Sequence, residues 1–146
     1  MQQEAKFSGA EANLVIHQTE DAGKILASVQ SHLGIVADRF TATATEGHFK
    51  NKILVLRALL SSAEATELAS RISSGLSSID RDLLWRGMDQ FSDEKGNLYI
   101  RIDKQRLCQG KISVSSADSM RVKFKPVKRY RPASNLEIYR GLFASG

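Results

Sequence analysis

The chain has 146 residues, 42% of them apolar and 25% charged, with a formal net charge of +5. That suits one soluble globular domain with one substantial core rather than a disordered chain. No apolar run approaches the roughly 18 residues that span a bilayer, and MQQEAKFSGAEAN lacks the charged start and apolar stretch of a signal peptide, so a cytoplasmic protein is expected. The single Cys108 excludes an internal disulfide and a cysteine-pair zinc site, and His17, His32 and His48 show no ligand spacing; no metal or cofactor is expected.

Residues 1–12 are expected to be a flexible segment ahead of a single domain over 13–146. NLVIHQT (13–19) is rich in apolar and β-branched residues and reads as a strand. Thr19 stands as the N-cap of a helix in which Ala22, Ile25, Leu26, Val29 and Leu33 recur at helical spacing before Gly34. RFTATATE (39–46) alternates like a half-buried strand, KILVLRALL (52–60) reads as a central strand, and GHFKN between them predicts a hairpin. Ser61 and Glu64 have capping-box spacing, followed by the stripe Ala65, Leu68, Ala69, Ile72 and Leu76. A second helix over 79–91 is expected to turn Leu83, Leu84, Met88 and Phe91 inward, with Trp85 at the core or its margin.

DEKG (93–96) predicts a turn into the strand NLYIRID, in which Leu98, Ile100 and Ile102 face one side and Tyr99, Arg101 and Asp103 the other. Asp103 is expected to cap a short helical turn. A hairpin of KISVS and MRVKFKPV should follow, and Ser134 with Glu137 should open a last helix. The order β-α-β-β-α-α-β-β-β-α predicts an α+β fold, with a mixed or antiparallel sheet and helices packed on one face.

The charge is unevenly placed. Residues 95–140 carry 12 Lys and Arg against Asp103, Asp118 and Glu137, a net +9 that leaves −4 for the rest of the chain. Such a field suggests a polyanionic partner. In SMRVKFKPVKRYRP (119–132), Met120, Val122 and Phe124 point one way and Arg121, Lys123 and Lys125 the other, a row of cations about 7 Å apart that can follow a phosphate backbone. A second reading competes: lysines on an edge strand deter edge-to-edge aggregation, and Pro126 fits only an edge or a strand end. Lys128, Arg129 and Arg131 continue the charge beyond the strand, where edge protection does not require it.

TEGHFKNKILVLRA (45–58) together with DEKGNLYIRIDKQ (93–105) resembles the archaeal RNA-binding family formerly catalogued as a domain of unknown function and labelled a predicted exosome subunit. The similarity runs from about Asn13 to Phe143. It implies a fold like that of the ribosomal protein that binds 5S ribosomal RNA, and an RNA-linked role with possible exosome or ribosome components as partners. This chain departs from the family in its more basic C-terminal end, which makes the shared segments the safer place for a family-wide site.

Each shared residue also has a plain structural role. Gly47 supplies a turn conformation, His48 and Asn51 hold the hairpin turn, and Asp103 caps a helix. Tyr99 next to Arg101 on a polar strand face is nonetheless how a sheet offers a base a stacking surface while holding phosphate, with Phe49 and Tyr130 as further aromatics. The reading is a non-catalytic RNA-binding protein. Arg101, Lys104, Arg121, Lys123, Lys125, Lys128, Arg129 and Arg131 contact phosphates, Tyr99 stacks, and a homodimer is possible. One alternative is an adaptor whose basic strip meets an acidic protein. Another is an RNA-cleaving enzyme built on Glu46, His48 and Asp103, which lacks a site-like carboxylate pair, a phosphate-cradling glycine loop and a nucleophile motif.

Overall fold

A computed structural model describes residues 7–46, 52–115, 117, 119–127 and 132–143, and of 132–135 the helical backbone only. His48, Lys128, Arg129 and Arg131, together with Gly47, Phe49, Asn51 and Tyr130, lie outside the described residues.

Five strands form one antiparallel sheet: β1 (Phe7–His17), β2 (Phe40–Glu46), β3 (Lys52–Leu60), β4 (Leu98–Asp103) and β5 (Ser119–Pro126). Their order is β2-β3-β1-β5-β4. The helices are α1 (Ala22–Leu33), α2 (Ser62–Gly75), α3 (Ser78–Arg86), α4 (Met88–Phe91), α5 (Lys104–Cys108) and α6 (Pro132–Leu142), with a short 3-10 turn at Ala37–Arg39. The architecture is therefore α+β, and the sheet is antiparallel throughout.

Period-two alternation decides which side chains are buried. Leu14 and Ile16 of β1, Leu56 and Ala58 of β3, Leu98, Ile100 and Ile102 of β4, and Met120, Val122 and Phe124 of β5 all turn to one face. Against them pack Ile25, Val29 and Leu33 of α1, Leu68 and Ile72 of α2, Leu84, Met88, and Tyr139 of α6. Phe7 lies between Phe124 and Tyr139, with ring centroids 4.9 and 5.7 Å away. Among the described residues, no side chain that alternation directs to the other face of the sheet is buried. That face is open.

Several expectations hold. Ser61 and Glu64 make a reciprocal capping box, further clamped by Arg39, whose guanidinium holds both Glu64 oxygens at 2.7 and 3.0 Å. Gly34 ends α1 at φ 78°, a conformation that costs glycine little. Asp103 caps α5 by accepting from the Arg106 amide.

Others are corrected. Residues 7–12, expected to be flexible, belong to β1 and run through the middle of the sheet. Small residues permit this: a Cβ on Gly9 would stand 2.8 Å from the Leu60 carbonyl oxygen, and the register with β5 shifts at that point. The N-cap of α1 is Asp21 rather than Thr19, its carboxylate accepting from the Lys24 amide. The helix expected over 79–91 breaks at Gly87 into α3 and α4. Leu83 is thereby left exposed, and Trp85 is 46% exposed with the Arg140 guanidinium 5.7 Å from its ring centroid. The last helix begins at Pro132, two residues ahead of Ser134.

KISVS is not a hairpin partner of β5, and the sheet has five strands instead of six. Both edges of β5 are already taken, by β1 and by β4. The segment instead touches the far edge of β4 through a single bridge, Val114 to Ile102.

Candidate nucleic-acid interface

Cross-strand register places the cations. Arg101 of β4 lies directly opposite Arg121 of β5, and Tyr99 directly opposite Lys123. On the other side of β5, Lys123 faces Glu11, Arg121 faces Asn13 and Lys125 faces Gly9 of β1. With neighbouring strands about 4.8 Å apart, Arg101, Arg121, Lys123 and Lys125 form one compact basic patch on the open face. Among the described residues, none of the four has a carboxylate in ion-pair contact.

Tyr99 organises the patch. The Arg121 guanidinium carbon sits 4.7 Å from the Tyr99 ring centroid, and the Lys123 Nζ is 5.9 Å from it. This cation–π contact holds Arg121 against the ring. The phenol is fixed from the other end, because its hydroxyl donates to Asp93 Oδ2 at 2.9 Å. Asp93 also accepts from the backbone amides of Lys95 and Asn97, each at 2.9 Å, and from the Asn97 side chain at 3.0 Å. Its carboxyl lies below the ordinary value: burial alone would raise it, but the hydrogen bonds from Asn97, Tyr99 and Lys95 outweigh burial. The DEKG turn is thus the anchor of the aromatic residue. The Tyr139 hydroxyl reinforces that turn by donating to the Gly96 carbonyl at 2.6 Å.

Lys104 is a correction. Expected among the phosphate contacts, it is only 1% exposed, and its ammonium donates to the Val15 carbonyl at 2.6 Å and to Glu20 Oε1 at 2.9 Å. It follows the last strand residue and opens α5, so its side chain runs inward and ties β4 to the loop after β1. An ammonium enclosed in this way is a structural tie and is not available to RNA.

The two described carboxylates of the catalytic alternative are not brought together, and His48 lies outside the described residues. Glu46 ends β2 and Asp103 ends β4, the two outermost strands of the sheet, and the Asp103 carboxylate is engaged by the Arg106 amide. Among the described residues, no group of three His, Cys, Asp or Glu side chains is placed to hold a metal ion.

Beside the patch, a groove of about 450 Å³ lies along the outer edge of β4. Tyr99, Arg101 and Arg121 form one wall; Gln90 and Phe91 of α4 and Val114 and Ser115 form the other. Neither Phe91 nor Val114 is a sequence-level candidate. Four segments between residues 90 and 121 meet there through the topology, so no local pattern marks them.

A family model described as RNA binding matches residues 10–126. RNA-binding protein PAB1135 of Pyrococcus abyssi is 33% identical over 124 residues, covering 78% of this chain and 80% of that protein. Two solved structures share the fold at 24% identity. Protein AF2318 from Archaeglobus fulgidus, described as a DUF54 protein, has a TM-score of 0.78 over 94% of this chain and 99% of its own. Mth689 from Methanothermobacter thermautotrophicus, also a DUF54 protein, has a TM-score of 0.75 over 95% and 99%. None of the helices is long and apolar enough to cross a membrane among the described residues.

Proposed function

We propose, because this chain belongs to the family described as RNA binding, that it is a non-catalytic RNA-binding protein whose β5–β4 half-face holds the phosphate backbone. The observation that carries the reading is the place of β5. An interior strand with both edges paired needs no guard against edge-to-edge association. Yet it directs Arg121, Lys123 and Lys125 to an uncovered face, with Arg101 opposed to Arg121. Like charges directly opposite each other cost a sheet stability, by up to about 1 kcal/mol per pair. A bound polyanion converts that cost into affinity.

The proposed contacts are to backbone rather than to sequence. Arg101, Arg121, Lys123 and Lys125 take phosphates, each displacing condensed counterions. Tyr99 contributes by holding Arg121 at 4.7 Å from its ring on the open face, where the guanidinium can take a bidentate phosphate. Lys128, Arg129 and Arg131 extend the same charge along the chain. The Glu46, His48 and Asp103 alternative loses support from the separation of its two carboxylates.

The test is a titration of fluorescent single-stranded RNA with the purified protein across a salt series. Four phosphate contacts give a slope of log K against log salt near −3, at about −0.7 per contact. Binding that ignores salt contradicts the electrostatic reading. A protein that binds no RNA but retains an acidic protein from extract is instead the adaptor.

A further inference from the structure

The outer edge of β4 is covered at both ends and open between them. At one end Ser92 bridges to Leu98, and the Asp93 amide donates to the Asn97 carbonyl at 3.0 Å. At the other, the Ser115 amide donates to the Arg101 carbonyl and the Asp103 amide to the Ser113 carbonyl, each at 2.9 Å. These bonds fix which residues turn their backbone groups outward: the odd-numbered ones. Between the two anchors, the Tyr99 carbonyl and the Arg101 amide turn to that outer edge, beside the groove, with no hydrogen-bond partner among the described residues. Unpaired backbone groups on a partly enclosed strand edge are a ready donor and acceptor for a ligand.

The surroundings define that ligand. Phe91 and Val114 give the groove one apolar wall, and the Arg101 and Arg121 side chains place two positive charges at its rim. A volume of about 450 Å³ falls in the range of small-ligand sites, roughly 300–1,000 Å³. A peptide strand added to this edge would need a run of alternating free groups, and only one carbonyl and one amide are open between Ser92 and Val114. An apolar plate with a polar edge and attached phosphates fits better.

We propose that the groove takes one unpaired nucleotide of the bound RNA. Its base lies against Phe91 and Val114 with its polar edge toward the Tyr99 carbonyl and the Arg101 amide, and its phosphates lie on the Arg101 and Arg121 guanidiniums. The inference rests on the RNA-binding reading and adds a substrate class to it. A base reaches such a groove only when it is out of the stack, so the protein prefers RNA with a bulge, loop or free end over continuous duplex.

The experiment compares two labelled RNA hairpins, one fully paired and one carrying a single bulged 5-bromouridine. The parent protein should bind the bulged hairpin tighter by an order of ten, the scale expected of one stacked base. Gln90→Trp, which fills the groove from the exposed rim of α4, should bring the two affinities together. Equal affinity of the parent for both hairpins, or an undiminished preference in Gln90→Trp, overturns the groove assignment and leaves phosphate binding intact. Failure of the parent to bind either hairpin overturns the RNA reading itself, and the groove with it. Ultraviolet crosslinking of the bulged base to the parent protein gives a readout independent of any variant. A crosslinked peptide containing Phe91, Tyr99 or Val114 supports the assignment, and crosslinks confined to other peptides refute it.

Discussion

The open face of the sheet has two halves built from the same kinds of strand but with opposite electrostatics. On the β2–β3–β1 half, Thr41, Thr43, Ile53, Val55 and Val15 are neutral, and the cation Arg57 is answered by Glu11, Nε to Oε1 at 2.7 Å. The Glu11 carboxyl lies below its ordinary value: burial opposes this, and hydrogen bonds from Arg57 and Asn13 outweigh it. On the β5–β4 half, four cations share the face, Arg121 and Lys123 within cation–π reach of Tyr99, and among the described residues none has a carboxylate in ion-pair contact, Glu11 acting on Lys125 only at longer range. A fold needs only that this face tolerate water, and the first half meets that need. The second half carries an excess of like charge that folding does not require, and that excess is what marks it as the candidate binding surface.

The largest effect is expected where charge and site part company. Lys104→Ala leaves Glu20 without its ammonium partner and the Val15 carbonyl without its donor, and should cost about 3–5 kcal/mol in a denaturant melt. The salt slope of RNA binding should stay that of the parent. Glu20 adds a pH signature. Burial tends to raise its carboxyl, but the His17 amide and Lys104 hold it below the ordinary value of 4.5. The associated stability is therefore complete above that value and is lost as pH falls through the lower folded value. Lys104→Ala should flatten the stability profile in that acid window.

Next comes the anchor of the basic half. Tyr99→Phe removes the hydroxyl that donates to Asp93 and should destabilise the protein by about 1 kcal/mol, read as a lowered denaturant midpoint. The ring remains under Arg121, so RNA affinity should change little. A smaller effect of opposite sign is expected for Arg101→Gln. Relief of the Arg101–Arg121 opposition should stabilise the fold by about 0.2–1 kcal/mol. RNA affinity should fall roughly fourfold at physiological salt, the share of one phosphate contact. Smallest of all is Arg57→Gln on the neutralised half: about 0.5 kcal/mol of stability, as for a mostly exposed ion pair, and RNA affinity equal to the parent's in the same titration.

What the sequence made legible is what depends on neighbours in the chain. The alternation in LYIRID and MRVKFK assigns every cation of β4 and β5 to its correct face, and the caps Ser61 and Asp103 are read correctly, while Thr19 and Ser134 each miss a helix start by two residues. Distant partners were not legible. Lys104 looks like its basic neighbours until Glu20, 84 positions away, is folded against it. The beginning of β1 at Phe7 was hidden because Gly9, Ala10 and Ala12 are poor strand formers, selected by close packing of the strand rather than by propensity. KISVS has strand composition but meets the sheet only at one bridge to β4, since both edges of β5 belong to β1 and β4. Whether β5 is an edge or an interior strand decides whether edge protection can explain its cations, and strand order is the property a single sequence expresses least.

The central claim is that the excess charge of β5 is an RNA site, and the most direct test removes it while keeping the core face of the same strand. Arg121→Gln, Lys123→Gln and Lys125→Gln together leave Met120, Val122 and Phe124 untouched, so the circular dichroism spectrum should match the parent's. The slope of log K against log salt should become shallower by about 2, three contacts at roughly 0.7 each. A folded, monodisperse triple variant that binds single-stranded RNA with the parent's affinity and slope would contradict the account.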